Sequence, residues 1–175
     1  NWKFGLLDRQ GNPLSDYKFD YMSPFSQGIA YIEQEGMYGA ISMQGKVLIT
    51  PQFEQLGSYA DKVMPAKRKG VFGYIDSAGN WVIQPQFVSA EPFANGLAPV
   101  QIGSKWGYVN KVGEVAIGAQ FDDAFPFDKH GYALVKIGSV YGLINRGGNL
   151  VVEPTYSDIY ALSEQEAIYI VERGE

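Results

Sequence analysis

A repeat of 34 residues constrains this chain more than any other feature of its sequence. Each copy has an aromatic residue followed by glycine, an aliphatic residue two positions on, a second glycine six positions on and an aromatic residue fourteen positions on. The first glycines are Gly5, Gly39, Gly73, Gly107 and Gly142, spaced 34, 34, 34 and 35 residues apart. A fixed period of this length is typical of repeat architectures. We therefore divide the chain into repeats at about 1–36, 37–70, 71–103, 104–138 and 139–175.

The residues around each of these anchor glycines predict a strand that is buried on both faces. In the fourth repeat, Trp106 and Tyr108 point to one face while Gly107 and Val109 point to the other, so both faces are apolar. A glycine inside a strand costs roughly 0.5–1 kcal/mol relative to alanine. Such a glycine often marks the close approach of another group. We expect the missing side chain to admit an aromatic side chain of a neighbouring sheet.

The second glycine of each copy predicts a hairpin. Asn110 to Gly113 has the pattern of a type I turn followed by a left-handed glycine, which joins the anchor strand to a second strand. We expect the proline that follows, such as Pro51 or Pro85, to end that second strand. A long loop then leads to a third strand, such as 97–102, which turns directly into the next repeat. The sequence thus predicts an all-β fold in which each repeat is a three-stranded antiparallel meander.

The two ends of the chain predict how the repeats close. Residues 168–174 followed by residues 2–5 reproduce the internal junction at residues 100–107. Pairing of the C-terminal strand with the N-terminal strand would remove two open edges. We therefore predict one domain, 1–175, that forms a closed five-bladed β-propeller. The alternative is an open β-repeat solenoid whose ends continue in further sequence.

Composition excludes several classes of function. The chain has no cysteine, and hence no disulfide framework or thiolate metal site, and it lacks a continuous apolar run long enough to span a membrane. Its formal net charge of −5 argues against nucleic-acid binding. The single histidine, His130, argues against a histidine-dependent catalytic triad or a multi-histidine metal site. We predict no enzyme activity, no cofactor and no metal. Because the chain begins at Asn1, we expect it to derive from a longer protein.

Carboxylates recur in the predicted long loops. Asp20, Glu54, Asp122 and Asp158 lie at matching places, and Asp123 follows Asp122. In a closed ring, equivalent loops gather on one face, where these carboxylates would bind a cation or a basic peptide, or simply keep the face soluble. Paired carboxylates also hydrolyse glycosides, but that chemistry needs two unlike environments and a repeated position supplies like ones.

Exposed aromatic residues are the other candidates for binding. Trp2, Tyr17 and Tyr21 belong to the first repeat, and Trp81 stands where the other repeats have proline, valine or leucine. Trp81 is either a platform for a sugar ring or part of the core. The run Lys67-Arg68-Lys69 is either an anion-binding patch or a solvated hairpin tip.

The fourth repeat resembles a known family. Lys105-Trp106-Gly107-Tyr108-Val109-Asn110, followed by Gly113 and by Phe121-Asp122, resembles the WG-containing (KWG) repeat of bacterial proteins. The resemblance covers essentially the whole chain, although the other copies have phenylalanine or tyrosine in place of tryptophan. It implies a bacterial β-repeat module, often part of a larger protein that is frequently secreted or at the envelope. It carries no catalytic residues.

These observations together predict a non-catalytic binding module for protein–protein interaction. Its partner would be another protein or an adjoining domain of the same polypeptide, and its location periplasmic, cell-surface or secreted. The alternative is a carbohydrate-binding module for cell-wall glycan. Coplanar exposed aromatic rings on one face would favour glycan, whereas a broad apolar patch would favour protein.

Overall fold

A computed structural model describes residues 2–163 and 168–173, and the chain divides into two compact units, residues 1–86 and 87–175. The described residues form eighteen β-strands and no helix, so they contain no helix that could cross a membrane. The all-β class is therefore confirmed. Gly174, which belongs to the predicted terminal junction, lies outside the described residues.

The first unit contains two four-stranded antiparallel sheets, preceded by a segment that is only partly paired. Residues 2–19 make isolated bridges, between Phe4 and Phe19 and between Leu7 and Pro13. The first sheet has the strand order β1-β2-β3-β4 and the second β5-β6-β7-β8. Their bounds are β1 Tyr21–Met22, β2 Ile29–Gln34, β3 Met37–Ser42, β4 Val47–Phe53, β5 Gln55–Leu56, β6 Met64–Arg68, β7 Val71–Ile75 and β8 Trp81–Phe87.

The second unit contains two sheets of the same design and a terminal hairpin. The third sheet has the order β9-β10-β11-β12, the fourth β13-β14-β15-β16, and β17 pairs with β18. Their bounds are β9 Ser89–Ala90, β10 Leu97–Ile102, β11 Lys105–Asn110, β12 Val115–Phe121, β13 Asp123–Ala124, β14 Tyr132–Ile137, β15 Val140–Asn145, β16 Leu150–Tyr156, β17 Asp158–Ser163 and β18 Ile168–Glu172.

The sheets do not coincide with the sequence repeats, so the predicted three-stranded meander is wrong. Each four-stranded sheet joins the third strand of one repeat to the anchor and second strands of the next; in the third sheet, for example, β10 pairs with β11 from Leu97↔Asn110 to Ile102↔Lys105. The chain changes sheet at a single bent residue, such as Asp122 between β12 and β13. The main-chain N–H of Asp122 already donates to the carbonyl of Lys136 in the fourth sheet. A two-residue strand then completes that sheet.

The anchor glycines admit a neighbouring backbone rather than an aromatic side chain. A Cβ added at Gly107 would lie 2.5 Å from the carbonyl oxygen of Ile117 and 2.8 Å from the nitrogen of Ala119, both in the next strand. At Gly39 the same Cβ would lie 2.3 Å from the carbonyl oxygen of Ile49. Gly73 and Gly142 repeat the arrangement at 2.4 and 2.6 Å. The glycine is therefore required within its own sheet, where the partner strand is bulged toward it.

The prolines lie inside this bulge and do not end the second strand, contrary to the prediction. β4 continues through Pro51 to Phe53. Between the pairs Tyr38↔Phe53 and Ala40↔Ile49 the register shifts, and a Cβ on Gly39 would lie 2.7 Å from the proline nitrogen. Because the bulge has no ladder hydrogen bond to lose at this nitrogen, a residue without an N–H is tolerated there.

The predicted hairpin turns are confirmed. The main-chain N–H of Gly113 donates to the carbonyl of Asn110 at 3.0 Å, and Gly113 is left-handed with φ 87°. The side-chain oxygen of Asn110 accepts hydrogen bonds from the N–H groups of Val112 and Glu114. Asp8, Asp76 and Asn145 accept the equivalent bonds in their own turns. These side chains stabilise the turns as Asx turns do.

The core of each unit lies between successive sheets, where large and small residues face one another. In the second unit, Tyr108 of the third sheet is buried with Ala133 of the fourth, and the Phe127 ring contacts the Tyr108 ring with centroids 4.9 Å apart and planes inclined at 52°. In the first unit the sizes are reversed, with Ala40 in the first sheet and Met64 in the second. Each fully buried large side chain stabilises the fold by about 1.5–3 kcal/mol.

Candidate functional site

Four aromatic side chains of the first repeat are the most exposed apolar side chains among the candidate residues. Trp2 is 96% exposed, Tyr17 56%, and Phe4 and Tyr21 both 46%. We call these four residues the aromatic surface. Phe4 and Tyr21 contact each other edge to face, with ring centroids 6.5 Å apart and planes inclined at 64°. The Tyr17 ring lies beside Gly5, where a Cβ would meet it at 3.0 Å.

Three of these aromatics are specific to the first repeat. Trp2 corresponds to glycine or serine in the other four repeats, Tyr17 to proline or alanine, and Tyr21 to glutamine, serine or aspartate. The equivalent residues are Gly36, Gly70, Ser104 and Ser139 for Trp2; Pro51, Pro85, Ala119 and Pro154 for Tyr17; and Gln55, Ser89, Asp123 and Asp158 for Tyr21. Because four repeats fold without an aromatic residue at these positions, the repeat fold does not require one.

Trp81 belongs to the third repeat and is less exposed than the residues of the aromatic surface. It begins β8, is half-buried, and packs against the core cluster between the first and second sheets. Its ring meets that of Phe53 edge to face, with centroids 5.5 Å apart. This environment favours the core interpretation of Trp81 over the sugar-platform interpretation.

Three of the five predicted carboxylates stabilise hairpin tips. Asp20 accepts a hydrogen bond from the main-chain N–H of Glu35 at 3.0 Å. Asp122 accepts one from Gly138 at 2.7 Å, and the Glu54 carboxylate accepts one at 3.1 Å from the equivalent tip at residue 70. All three lie at the bend between two sheets rather than in the long loops. Each carboxylate therefore has a local structural partner.

Two of these carboxylates also form ion pairs with the residue two positions before an anchor glycine. Lys3 pairs with Asp20, and Lys105 pairs with Asp122. In each case the hydrogen bond from the lysine, followed by that from the hairpin tip, holds the pKa of the aspartate below its usual range. Both carboxylates are therefore charged at neutral pH.

Asp123 and Asp158 occupy a different position from Asp122, which corrects the predicted alignment. Asp123 begins β13, where it pairs with Lys136 of β14, and Asp158 begins β17, where it pairs with Glu172 of β18. Each carboxylate accepts a hydrogen bond from the next main-chain N–H, and that of Asp158 also accepts one from the Tyr160 hydroxyl. That bond raises the pKa of Tyr160. The predicted cation-binding role of these carboxylates stays a prediction.

The basic run belongs to a hairpin and is partly engaged within the fold. Lys67 and Arg68 lie in β6, and Lys69 and Gly70 form the tip. The Lys67 ammonium lies 5.5 Å from the centroid of Phe72, and the Arg68 guanidinium lies 5.6 Å from that of Phe53 and donates to Gln52. These contacts favour the hairpin interpretation of the run.

The one-residue insertion in the fourth repeat is a turn that the sequence analysis missed. Asp128 accepts side-chain hydrogen bonds from the N–H groups of His130 and Tyr132, and Gly131 donates to the Asp128 carbonyl. Asp128 to Gly131 thus forms the same Asx turn as the hairpins. The sequence could have predicted it, because here too an aspartate lies three residues before a glycine. Within the described residues, no group of three or more histidine, aspartate or glutamate side chains could hold a metal ion.

A cross-strand row in the first sheet is a second feature that the sequence did not reveal. Tyr21 of β1 lies opposite Glu33 of β2, and Glu33 lies opposite Tyr38 of β3. Residues directly opposite one another in an antiparallel sheet point to the same face, with Cβ atoms about 4.5–5.5 Å apart. A half-buried carboxylate thus lies between two tyrosine side chains at the edge of the aromatic surface.

The fold and the recurring turns define an all-β repeat protein. The model of the WG containing repeat family matches five times in tandem, at residues 4–38, 38–70, 72–106, 106–140 and 141–175. The chain therefore belongs to the WG containing repeat family, as the resemblance implied. No protein of curated function matches the chain.

Solved structures with similar folds are propeller-like. The chain is similar to Hsv2p from Kluyveromyces lactis, with a TM-score of 0.55 and 10% sequence identity over 78% of this chain and 50% of that chain. It is also similar to the extracellular domain of a putative hybrid two-component system from B. thetaiotaomicron, with a TM-score of 0.51 and 11% identity over 89% of this chain and 28% of that chain. The chain spans half or less of the length of these proteins, and at this identity the similarity shows the fold alone.

Proposed function

We propose that this chain is a non-catalytic module for protein–protein interaction whose contact region is the aromatic surface of the first repeat. One observation carries the proposal: Trp2, Tyr17 and Tyr21 are large, exposed and absent from the equivalent positions of every other repeat. Tryptophan and tyrosine are enriched at interfaces and at their energetic hot spots. The inclined planes of Phe4 and Tyr21 support a protein partner over the flat face of a sugar ring. On the strength of the family resemblance, we also propose that the module is part of a larger bacterial envelope or secreted protein.

The test replaces two residues of the aromatic surface by residues that the other repeats already carry. The double variant Trp2→Ser with Tyr21→Ser introduces side chains found at the equivalent positions, so we expect its unfolding temperature to equal that of the parent. Val112→Ser is the matched control, because Val112 is an exposed apolar residue of a turn in the fourth repeat. All three proteins are used to capture partners from bacterial envelope extract and are sedimented with insoluble peptidoglycan.

A defined protein captured by the parent and by Val112→Ser, but not by the double variant, supports the proposal. Sedimentation with peptidoglycan that the double variant loses would instead establish the carbohydrate-binding alternative. If the double variant binds as the parent does in both assays, the aromatic surface is not the contact region.

We further propose that the fold is a closed five-bladed propeller rather than an open array. The closed form is supported by the two ends of the chain, which correspond to the two halves of one four-stranded sheet. β17 and β18 correspond to the first two strands of a sheet, and residues 3–19 to the last two. Leu7 is 51% exposed, whereas all its equivalents are fully buried at 0%. These equivalents are Ile41, Ile75, Val109 and Ile144.

A disulfide cross-link tests this closure in a chain that has no cysteine of its own. By equivalence with the pair Tyr31↔Ala40, closure brings Ile170 opposite Leu6. We expect Leu6→Cys with Ile170→Cys to oxidise to a cross-linked monomer. Leu6→Cys with Val171→Cys, one residue out of register, is the control. Disulfide-linked oligomers, or no cross-link, would support the open array.

A further inference from the structure

The row formed by Tyr21, Glu33 and Tyr38 differs from its counterparts in the charge at its centre. In the second sheet the equivalent row places Lys67 between Gln55 and Phe72. In the fourth sheet it places Lys136 between an aspartate and Tyr141. The first sheet has a carboxylate where these two sheets have an ammonium group.

The lysines of the other rows show what such a row can hold. The Lys67 ammonium lies 5.5 Å from the Phe72 centroid, and the Lys136 ammonium lies 5.2 Å from the Tyr141 centroid. Both distances lie within the range of a cation–π interaction. In these sheets, therefore, the cation that covers the aromatic ring of the anchor strand comes from the chain itself.

The first sheet lacks such a cation. In the part of the chain that the structure describes, no lysine or arginine forms an ion pair with Glu33 or lies over Tyr21 or Tyr38. The two nearby lysines are engaged elsewhere, Lys3 with Asp20 and Lys18 with Asp16 and the Phe19 ring. Residues 1–36 contain five acidic and three basic side chains, so the region is net negative.

We infer that the row Tyr21–Glu33–Tyr38 is a receptor for a cationic side chain, an arginine or a lysine, of the protein partner. Glu33 supplies the opposite charge, and the two tyrosine rings supply faces for cation–π contact. The partner's cation takes the place that Lys67 and Lys136 occupy in their own sheets. This inference rests on the proposed binding function and specifies the chemistry of the partner segment: apolar side chains against the aromatic surface with a basic residue beside them.

The experiment uses N-acetyl-arginine amide as the probe and follows the backbone amide resonances of β1, β2 and β3 by NMR. N-acetyl-citrulline amide, which has nearly the same shape but no charge, is the matched control probe. We expect saturable shifts with the arginine probe at millimolar concentration and none with the citrulline probe. Equal shifts with both probes, or none with either, would overturn the inference.

Two substitutions of Glu33 test its role. Each introduces a residue that another sheet has at the equivalent position, so the fold should tolerate it. Glu33→Gln reproduces the third sheet, which has Gln101 at this position, and should weaken binding of the arginine probe by about fivefold, as expected for one exposed ion pair. Glu33→Lys reproduces the second and fourth sheets and should abolish binding, because its own ammonium then covers Tyr38. Unchanged binding in Glu33→Lys would show that the row is not the receptor.

The same variants separate this inference from the proposed function. If a captured partner is lost with the Trp2→Ser and Tyr21→Ser double variant but retained by Glu33→Lys, the module binds a protein through its aromatic surface without the cation contact. If Glu33→Lys also loses the partner, the cationic side chain belongs to the interface.

Discussion

Replacing Gly107 by alanine tests the structural role assigned to the anchor glycines. The new Cβ would lie 2.5 Å from one backbone atom and 2.8 Å from another in the adjacent strand, and neither can move without disturbing the sheet. Overpacking of this kind typically costs about 1–3 kcal/mol. The substitution also restricts the unfolded chain, which offsets about 0.4–1 kcal/mol. If the overpacking cost lies at the upper end of its range, the free energy of unfolding should fall by about 2 kcal/mol after this offset. Such a loss lowers Tm by about 4–8 °C for a chain of this size.

A second glycine of the same sheet provides the control. Gly118 lies in β12, and a Cβ added there would meet nothing within 4 Å. Its φ is not in the left-handed region. Gly118→Ala should therefore leave Tm unchanged or raise it. Urea unfolding followed by fluorescence gives the free energies of the parent and both variants. If Gly107→Ala is as stable as Gly118→Ala, the close approach of the backbone does not explain why a glycine recurs at this position of every repeat.

Three further substitutions test other parts of the fold. Gly5→Ala should cost less than Gly107→Ala, because its new Cβ would lie 3.0 Å from the Tyr17 side chain, which can move, and no closer than 3.1 Å to a backbone atom, the carbonyl oxygen of Asp16; an equal drop in Tm would contradict this. Asp122→Asn should lower Tm at neutral pH. Lys105 and a hairpin tip hold the pKa of Asp122 below its usual range. The stability that this carboxylate contributes is therefore present above about pH 4 and is lost as the pH falls through the lowered pKa, where the Tm values of parent and variant should converge. Tyr31→Phe should cost about 1–3 kcal/mol in urea unfolding, because the Tyr31 hydroxyl accepts a hydrogen bond from a loop N–H at 2.9 Å and donates another at 2.9 Å; a cost near zero would show that water replaces both.

The sequence by itself determined the repeat, the fold class and the local chemistry of the turns. A glycine six residues after each anchor glycine, with aspartate, asparagine or serine three residues before it, predicts a hairpin because few other residues satisfy that geometry. The alternation around Trp106 and Tyr108 predicts a strand covered on both faces, and Tyr108 and Val109 are fully buried. These features depend on neighbours close in sequence, so the sequence contains the information. Trp2, Tyr17 and Tyr21 could likewise be predicted as candidates for binding, because the other four repeats have no aromatic residue at the equivalent positions.

Only the tertiary structure decided which strands share a sheet and which atoms meet across it. The bend at Asp122 moves the chain from one sheet to the next, and nothing local distinguishes such a bend from a loop. The backbone that approaches Gly107 lies ten to twelve residues further along the chain, and its approach depends on a bulge whose register the sequence does not specify. The row Tyr21–Glu33–Tyr38 joins residues of three strands, so its composition became visible only once pairing was known. Strand pairing is a non-local choice, because it is set by the combined packing of whole faces rather than by the preference of any single segment.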